Sequence, residues 1–278
     1  MTPPAPGTIR FAANLKWLFT EVPFEARFDA AAEAGFRAVE IAAPYVLPAA
    51  KVRRLLDDAG LRAVLINSPG GSASSPERNG SACIPQLRDT FRAGFDRAWE
   101  YADILGSPVI HVMAGIRPDG TDRDTAFAQY VENIAWAADR CKGSGLRLVL
   151  ETINQRDAPG FLLTSQEQAA DVIRTIGADH IELLFDIYHC QVGQGDVTTR
   201  LTALLPLIGH IQVADPPTRT EPGTGELAWD FLFGQLRRLG YDGWIGCEYR
   251  PATTTLDGLH WRRRHEDRPR TTAQRKAP

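Results

Sequence analysis

The chain has 278 residues, 44% hydrophobic and 23% charged, with a formal net charge of −3; these are the proportions of an ordinary globular protein, not of a disordered, fibrous or membrane chain. Residues 262–278 hold seven Lys/Arg against two acidic residues, which leaves −8 on the remainder, and a body of that sign does not suit nucleic acid as a natural partner. No stretch approaches the ~18 consecutive apolar residues of a membrane span, the first residues lack a signal-peptide pattern, and four cysteines without a CxxC pair, Cys83, Cys141, Cys190 and Cys247, fit a reduced cytoplasm.

Short runs rich in Val, Ile and Leu alternate with amphipathic stretches. In chain order the pattern predicts strand 9–15, helix 24–34, strand 38–42, helix 48–59, strand 62–67, helix 87–105, strand 109–114 and helix 124–142. It continues with strand 147–153, helix 165–176, strand 181–188, helix 197–205, strand 209–214, helix 228–239 and strand 244–249. Gly35, Gly60, Gly106, Gly177 and Gly240 stand where helix C-caps belong. The last helix has to come from 255–264, a short segment.

Eight strands and their helices predict a single (β/α)8 TIM barrel over residues 1–261, followed by a basic, disordered tail over 262–278. A doubly wound open sheet would want a Gly-rich phosphate turn after the first strand, and the sequence has none there.

In such a barrel the functional groups stand at the C-terminal ends of the strands. LVLE ends in Glu151, LLFD in Asp186, GHIQ in Gln212 and GCE in Glu248. One polar strand end is usually a cap or a loop contact, but four on successive strands converge on one mouth. Three are carboxylates, which repel unless a cation lies among them, and oxygen ligands favour a hard divalent ion, Mg²⁺ or Mn²⁺.

Other polar groups flank the quartet. Arg219, in DPPTRTEPGTGE, offers a fork for a substrate carboxylate, or pairs with Glu221 on the surface. His189 lies three residues after Asp186 and Asn154 three after Glu151; His189 reads as a site histidine or a satisfied core one. Lys16 is a second cation for the mouth or an exposed lysine, and His111 lines the pocket or bonds inside the barrel. Glu40 and Asn67 sit where a substrate hydroxyl could be met or where loop amides need an acceptor. Trp17 and Phe19 read as an apolar wall or as packing. Gly223-Thr224-Gly225, with no P-loop lysine, reads as a tight loop and not as a phosphate cradle.

The segments FAANLKWLF, ERNGSACIP, ETINQRDAPGFLLT, FDIYHCQ, GHIQVADPPTRTEPGTGE and GWIGCEYRPATTTLDGL together resemble the hydroxypyruvate isomerase family of the xylose isomerase-like barrels. The resemblance runs in order from residue 11 to 259. It implies a divalent metal held by Glu151, Asp186, Gln212 and Glu248, with Glu151 and Glu248 as the acid/base pair. It also implies substrate contacts from His189 and Arg219, and interconversion of hydroxypyruvate with 2-hydroxy-3-oxopropanoate (tartronate semialdehyde) through an enediolate. A 2-oxo-tetronate isomerase or a ketose 3-epimerase would use the same quartet, and a catalytically silent sugar-binding barrel could do without the paired glutamates. The family often has histidine where this chain has Gln155, and Asn-Leu-Pro where it has Asn67-Ser68-Pro69. The expected partner is a small hydroxy-keto acid, with no nucleic acid and no membrane; a homo-oligomer stays open.

Overall fold

Strands of a closed parallel barrel are covered by helices outside and by one another inside, so they need apolar side chains in both directions. The computed structural model describes residues 9–72 and 74–266 and shows eight such strands. They are β1 (Arg10–Asn14), β2 (Ala38–Ile41), β3 (Arg62–Asn67), β4 (Val109–His111), β5 (Arg147–Glu151), β6 (Ile181–Asp186), β7 (Ile208–Val213) and β8 (Trp244–Cys247). Each pairs in parallel with the next, and β8 pairs with β1 to close the ring.

The helices are α1 (Arg27–Glu33), α2 (Ala49–Asp58), α3 (Arg88–Leu105), α4 (Arg123–Cys141), α5 (Gln166–Ile176), α6 (Ile187–Gly193), α7 (Val197–Leu204), α8 (Trp229–Arg238) and α9 (Arg262–His265). Gly106 and Gly177 end α3 and α5 with φ of 65° and 66°, the left-handed turn that residues with a Cβ avoid.

Alternation along each strand sorts its side chains between two compartments. The outward residues Phe11, Val39, Ile66, Ile110, Leu148, Phe185, Ile211 and Ile245 join the main core beneath the helices. The inward ones form separate small clusters, Leu65 with Val109, Val149 and Leu184, and Ala12 with Ala38 and Val64. Continued by one step of two, the inward face presents Asn14, Glu40, Asn67, His111, Glu151, Asp186, Gln212 and Glu248. The top layer of the lumen is therefore polar, with one residue from each strand position, and this layer is the floor of the mouth.

Several boundaries differ from the sequence expectation: β4, β5 and β8 stop at His111, Glu151 and Cys247, short of residues 114, 153 and 249, and α6 is a helix the pattern does not predict. The sixth strand stops at Asp186, because the Asp186 carboxylate caps α6: Oδ1 accepts from the amides of Tyr188 (2.7 Å) and His189 (3.2 Å). The first residues of the tail predicted from 262 are structured. Arg262–His265 is a helical turn, and the Arg262 guanidinium lies 3.9 Å over the Phe36 ring while donating to the Ala34 carbonyl at 3.1 Å. A long amphipathic arginine can bury its stem in this way, which the charge run concealed. Residues 267–278 of the expected tail lie outside the described residues.

Candidate active site

Glu151, Asp186, Gln212 and Glu248 meet at the mouth because Asp186 and Gln212 are register partners on neighbouring strands and Glu248 continues β8 beside them. Gln212 Nε2 donates to Glu248 Oε2 at 2.6 Å and to Glu40 Oε2 at 2.9 Å. With both N–H groups committed, the carboxamide is held by its nitrogen end and its oxygen faces the other way. Asn14 Nδ2 makes the same two contacts, with Glu40 Oε2 at 2.8 Å and Glu248 Oε2 at 3.0 Å.

Glu40 belongs to the same layer and is fully buried, with His210 Nε2 hydrogen-bonded to its second oxygen. Its oxygens are taken by the side chains of Gln212, Asn14 and His210, and not by the loop amides that the sequence reading offered as one alternative. The lumen has room for it because residue 246 is glycine: a Cβ there would stand 1.8 Å from Glu40 Oε1.

Arg219 reaches the centre. Its Nη2 is 2.8 Å from Glu248 Oε1 and 3.6 Å from Asp186 Oδ2, and its guanidinium carbon lies 4.8 Å from the Trp17 ring centre and 5.0 Å from that of Tyr188. It does not pair with Glu221, whose Oε2 takes the Ala252 amide. Asp215 shapes the loop that carries Arg219, accepting from the amides of Gly223 (2.8 Å), Gly225 (3.0 Å) and Leu227 (3.2 Å) and from Trp229 Nε1 (2.8 Å). The two glycine amides of the Gly-Thr-Gly stretch are thus spent on a carboxylate and the Thr224 amide on the Glu221 carbonyl, which agrees with a tight loop.

His111 Nε2 stands 3.5 Å from Glu151 Oε2, and His189 Nε2 stands 4.0 Å from Glu151 Oε1 and 3.8 Å from Asp186 Oδ2. Lys16 is exposed at the rim, where its charge acts on both Glu248 and His111. Asn67 is half-buried with its amide 3.8 Å from the Met113 sulfur. Trp17 walls the site, whereas Phe19 packs into the core against Phe36 at 6.2 Å. Gln155 is exposed and bonds to Ala158, Gly160 and Phe161 within its own loop, so the departure from histidine there does not reach the mouth. Asn14 was not singled out from the sequence, although the period of two along β1 places it one step above Ala12.

Burial sets the electrostatics of the mouth. It raises the Glu151 carboxyl well above the ordinary range, with Glu248 and Asp186 adding to the rise. Burial lifts Asp186 to about 7, against the pull of Arg219, and lifts Glu248 against the same pull. His111 falls to about 3 and His189 well below its usual value, both chiefly through burial. For Arg219 the sign reverses: burial opposes its charge, but Glu248, Asp186 and Glu151 outweigh it and raise its pKa.

A divalent cation fits this donor set. Glu151 Oε1, Asp186 Oδ2 and Gln212 Oε1 are each buried with no hydrogen-bond partner among the described residues. Unpaired buried acceptors from three adjacent strands are costly unless a cation satisfies them. Ligand atoms of Glu151, Asp186 and His189 lie within 4.8 Å of one another.

The family described as a xylose isomerase-like TIM barrel matches residues 28–265. The chain belongs to that family. It is an isomerase, the enzyme class shared by its curated relatives. The 2-oxo-tetronate isomerase of Cupriavidus necator is 45% identical over 91% of this chain and 96% of its own length. The hydroxypyruvate isomerase of Escherichia coli is 42% identical over 91% of this chain and 98% of its own. Among solved structures, one titled as an AP endonuclease, family 2, from Brucella melitensis superposes with a TM-score of 0.89 at 37% identity, covering 93% of this chain and all of that one.

Proposed function

We propose that this isomerase interconverts hydroxypyruvate and 2-hydroxy-3-oxopropanoate, with Mg²⁺ or Mn²⁺ held by Glu151, Asp186, Gln212 and Glu248. The carrying observation is the set of three buried oxygens on β5, β6 and β7 that have no hydrogen-bond partner among the described residues, beside the Glu248–Arg219 pair. When bound, the cation supplies polarisation of the substrate's carbonyl and hydroxyl oxygens, which acidifies the neighbouring C–H.

The chain's own groups then have distinct tasks. Arg219 anchors the substrate carboxylate; its Nε is buried without a partner, and its two flanking rings hold the fork in place. Lys16 adds positive charge at the rim. One of Glu151 and Glu248 takes the proton from the hydroxymethyl carbon, giving an enediolate, and the other returns a proton to the former carbonyl carbon; a second proton passes between the two oxygens, so the atoms balance. His189, His111 and Asn67 offer hydrogen bonds to the substrate's other oxygens. Raised carboxyl pKa values suit this work, since a base and an acid near neutral pH exchange protons in both directions.

The same groups would serve a four-carbon 2-oxo acid, the substrate class in the name of the C. necator relative. A DNA substrate is disfavoured by the acidic body, which carries −8 outside residues 262–278. The four cysteines are free and buried, which suits a reducing cytoplasm. Among the described residues no helix is long and apolar enough to cross a membrane. The test is proton exchange into hydroxypyruvate and 2-oxo-tetronate in deuterated water with Mn²⁺, followed by chelation. Exchange into hydroxypyruvate that chelator abolishes supports the proposal; exchange into the four-carbon acid alone reassigns the substrate, and exchange indifferent to chelator removes the metal.

A further inference from the structure

His189 stands beside two carboxylates, and its position alone would make it a nitrogen ligand for a cation. Its other ring nitrogen decides the matter. Asn154 Nδ2 lies 2.7 Å from His189 Nδ1, and the Asn154 backbone N–H points at the same atom from 3.4 Å. Both groups are donors. The carboxamide cannot be turned round, because Asn154 Oδ1 already accepts the Asp157 amide at 2.9 Å while Nδ2 also faces Asp157 Oδ2 at 3.4 Å.

We propose that Asn154 fixes His189 as the tautomer protonated on Nε2, and so keeps the imidazole out of the metal's ligand set. The inference rests on the metal-dependent reading above. A nitrogen that carries a proton has no lone pair for a cation. The ring therefore presents an N–H to the space beside Glu151 Oε1 and Asp186 Oδ2, where it hydrogen-bonds a substrate oxygen. The ligands that remain are all oxygens, the set that favours Mg²⁺ or Mn²⁺ over Zn²⁺. Asn154 touches neither metal nor substrate in this arrangement; it is a positioning residue acting through His189. It is buried, and it opens the turn after β5 by accepting the Ala158 amide on its carbonyl at 3.1 Å, so the loop backbone itself holds the relay in place.

Nitrogen-15 NMR of the full metal-free chain with labelled histidine reads the tautomer directly, with His189→Gln identifying the resonance among the six histidines. The expected wild-type spectrum has the proton on Nε2; a proton on Nδ1 overturns the proposal. In Asn154→Asp the new carboxylate can only accept, so the proton should move to Nδ1 and free Nε2. The proposal then expects Zn²⁺ affinity relative to Mn²⁺ to rise by roughly 10–100-fold, the usual reach of a residue behind a ligand. A purely structural asparagine would lower stability and leave the proton where it was, and that result also overturns the proposal.

Electron spin echo spectra of Mn²⁺-loaded wild type supply the other arm. No directly bonded nitrogen is expected, and a bonded nitrogen counts against the proposal even should Asn154→Asp not fold. Failure of the isomerase reading looks different: Mn²⁺ does not bind and no acid exchanges protons, while Nε2 still carries its proton. That outcome keeps the tautomer and overturns its consequence for the ligand set.

Discussion

Glu151, Asp186 and Glu248 are buried acids held near one another, and each is raised above its ordinary pKa. A raised carboxyl favours the protonated form in the folded state. It contributes stability below the unfolded value, and that contribution is lost as pH rises through the folded value, about 7 for Asp186. Chelated protein should thus be less stable to urea at about pH 8 than at about pH 5.5, by on the order of 2 kcal/mol from Asp186 alone. Mn²⁺ should reverse the trend, binding more tightly as pH rises and releasing protons as it does, which calorimetry in two buffers measures. Flat stability across this range would mean that the three acids do not share one mouth. Glu151→Gln and Glu248→Gln should each lose about 10²–10⁴-fold in turnover while still folding. Retained turnover in either variant excludes that residue from proton transfer.

At the scale of the element, the barrel lumen explains what could be read from the sequence and what could not. Glu151, Asp186, Gln212 and Glu248 were legible because each closes an apolar run, where an unsupported polar group stands out. The partners of Glu40 were not: His210 and Gln212 lie 170 and 172 residues away, and only closure of the ring brings them across from β2. The end of β6 was concealed for a local reason, since Ile187 and Tyr188 continue the hydrophobic run although the chain has already turned into α6. Asn154 was visible as a polar neighbour of Glu151, but its relation to His189 depends on two loops meeting. The fit of β8 around Glu40 can be tested by Gly246→Ala. A Cβ 1.8 Å from Glu40 Oε1 should cost about 1–3 kcal/mol in urea denaturation, and it should weaken Mn²⁺ binding because Gln212 loses its seat. Unchanged metal affinity would show that Glu40 does not hold Gln212 in place.

At the scale of the whole molecule, the helical layer is fastened where its last element meets its first. Arg262 of α9 covers Phe36, which follows α1, and bonds the Ala34 carbonyl, so residues far apart in the chain close the outside of the barrel as β1 and β8 close the inside. Arg262→Ala should cost roughly 1–3 kcal/mol from the lost cation–ring contact and hydrogen bond, with kcat little changed; a neutral effect on the urea midpoint would show that the fastening is not needed.

Asp186 joins the two layers in another sense. One of its oxygens receives the first amides of α6 and the other faces the mouth, so charge drawn toward one weakens the other as an acceptor. The start of α6 is then a built-in gauge of the mouth's occupancy: hydrogen exchange at the Tyr188 and His189 amides should quicken when a cation draws on Asp186, and an assay that follows no substrate could watch the site fill.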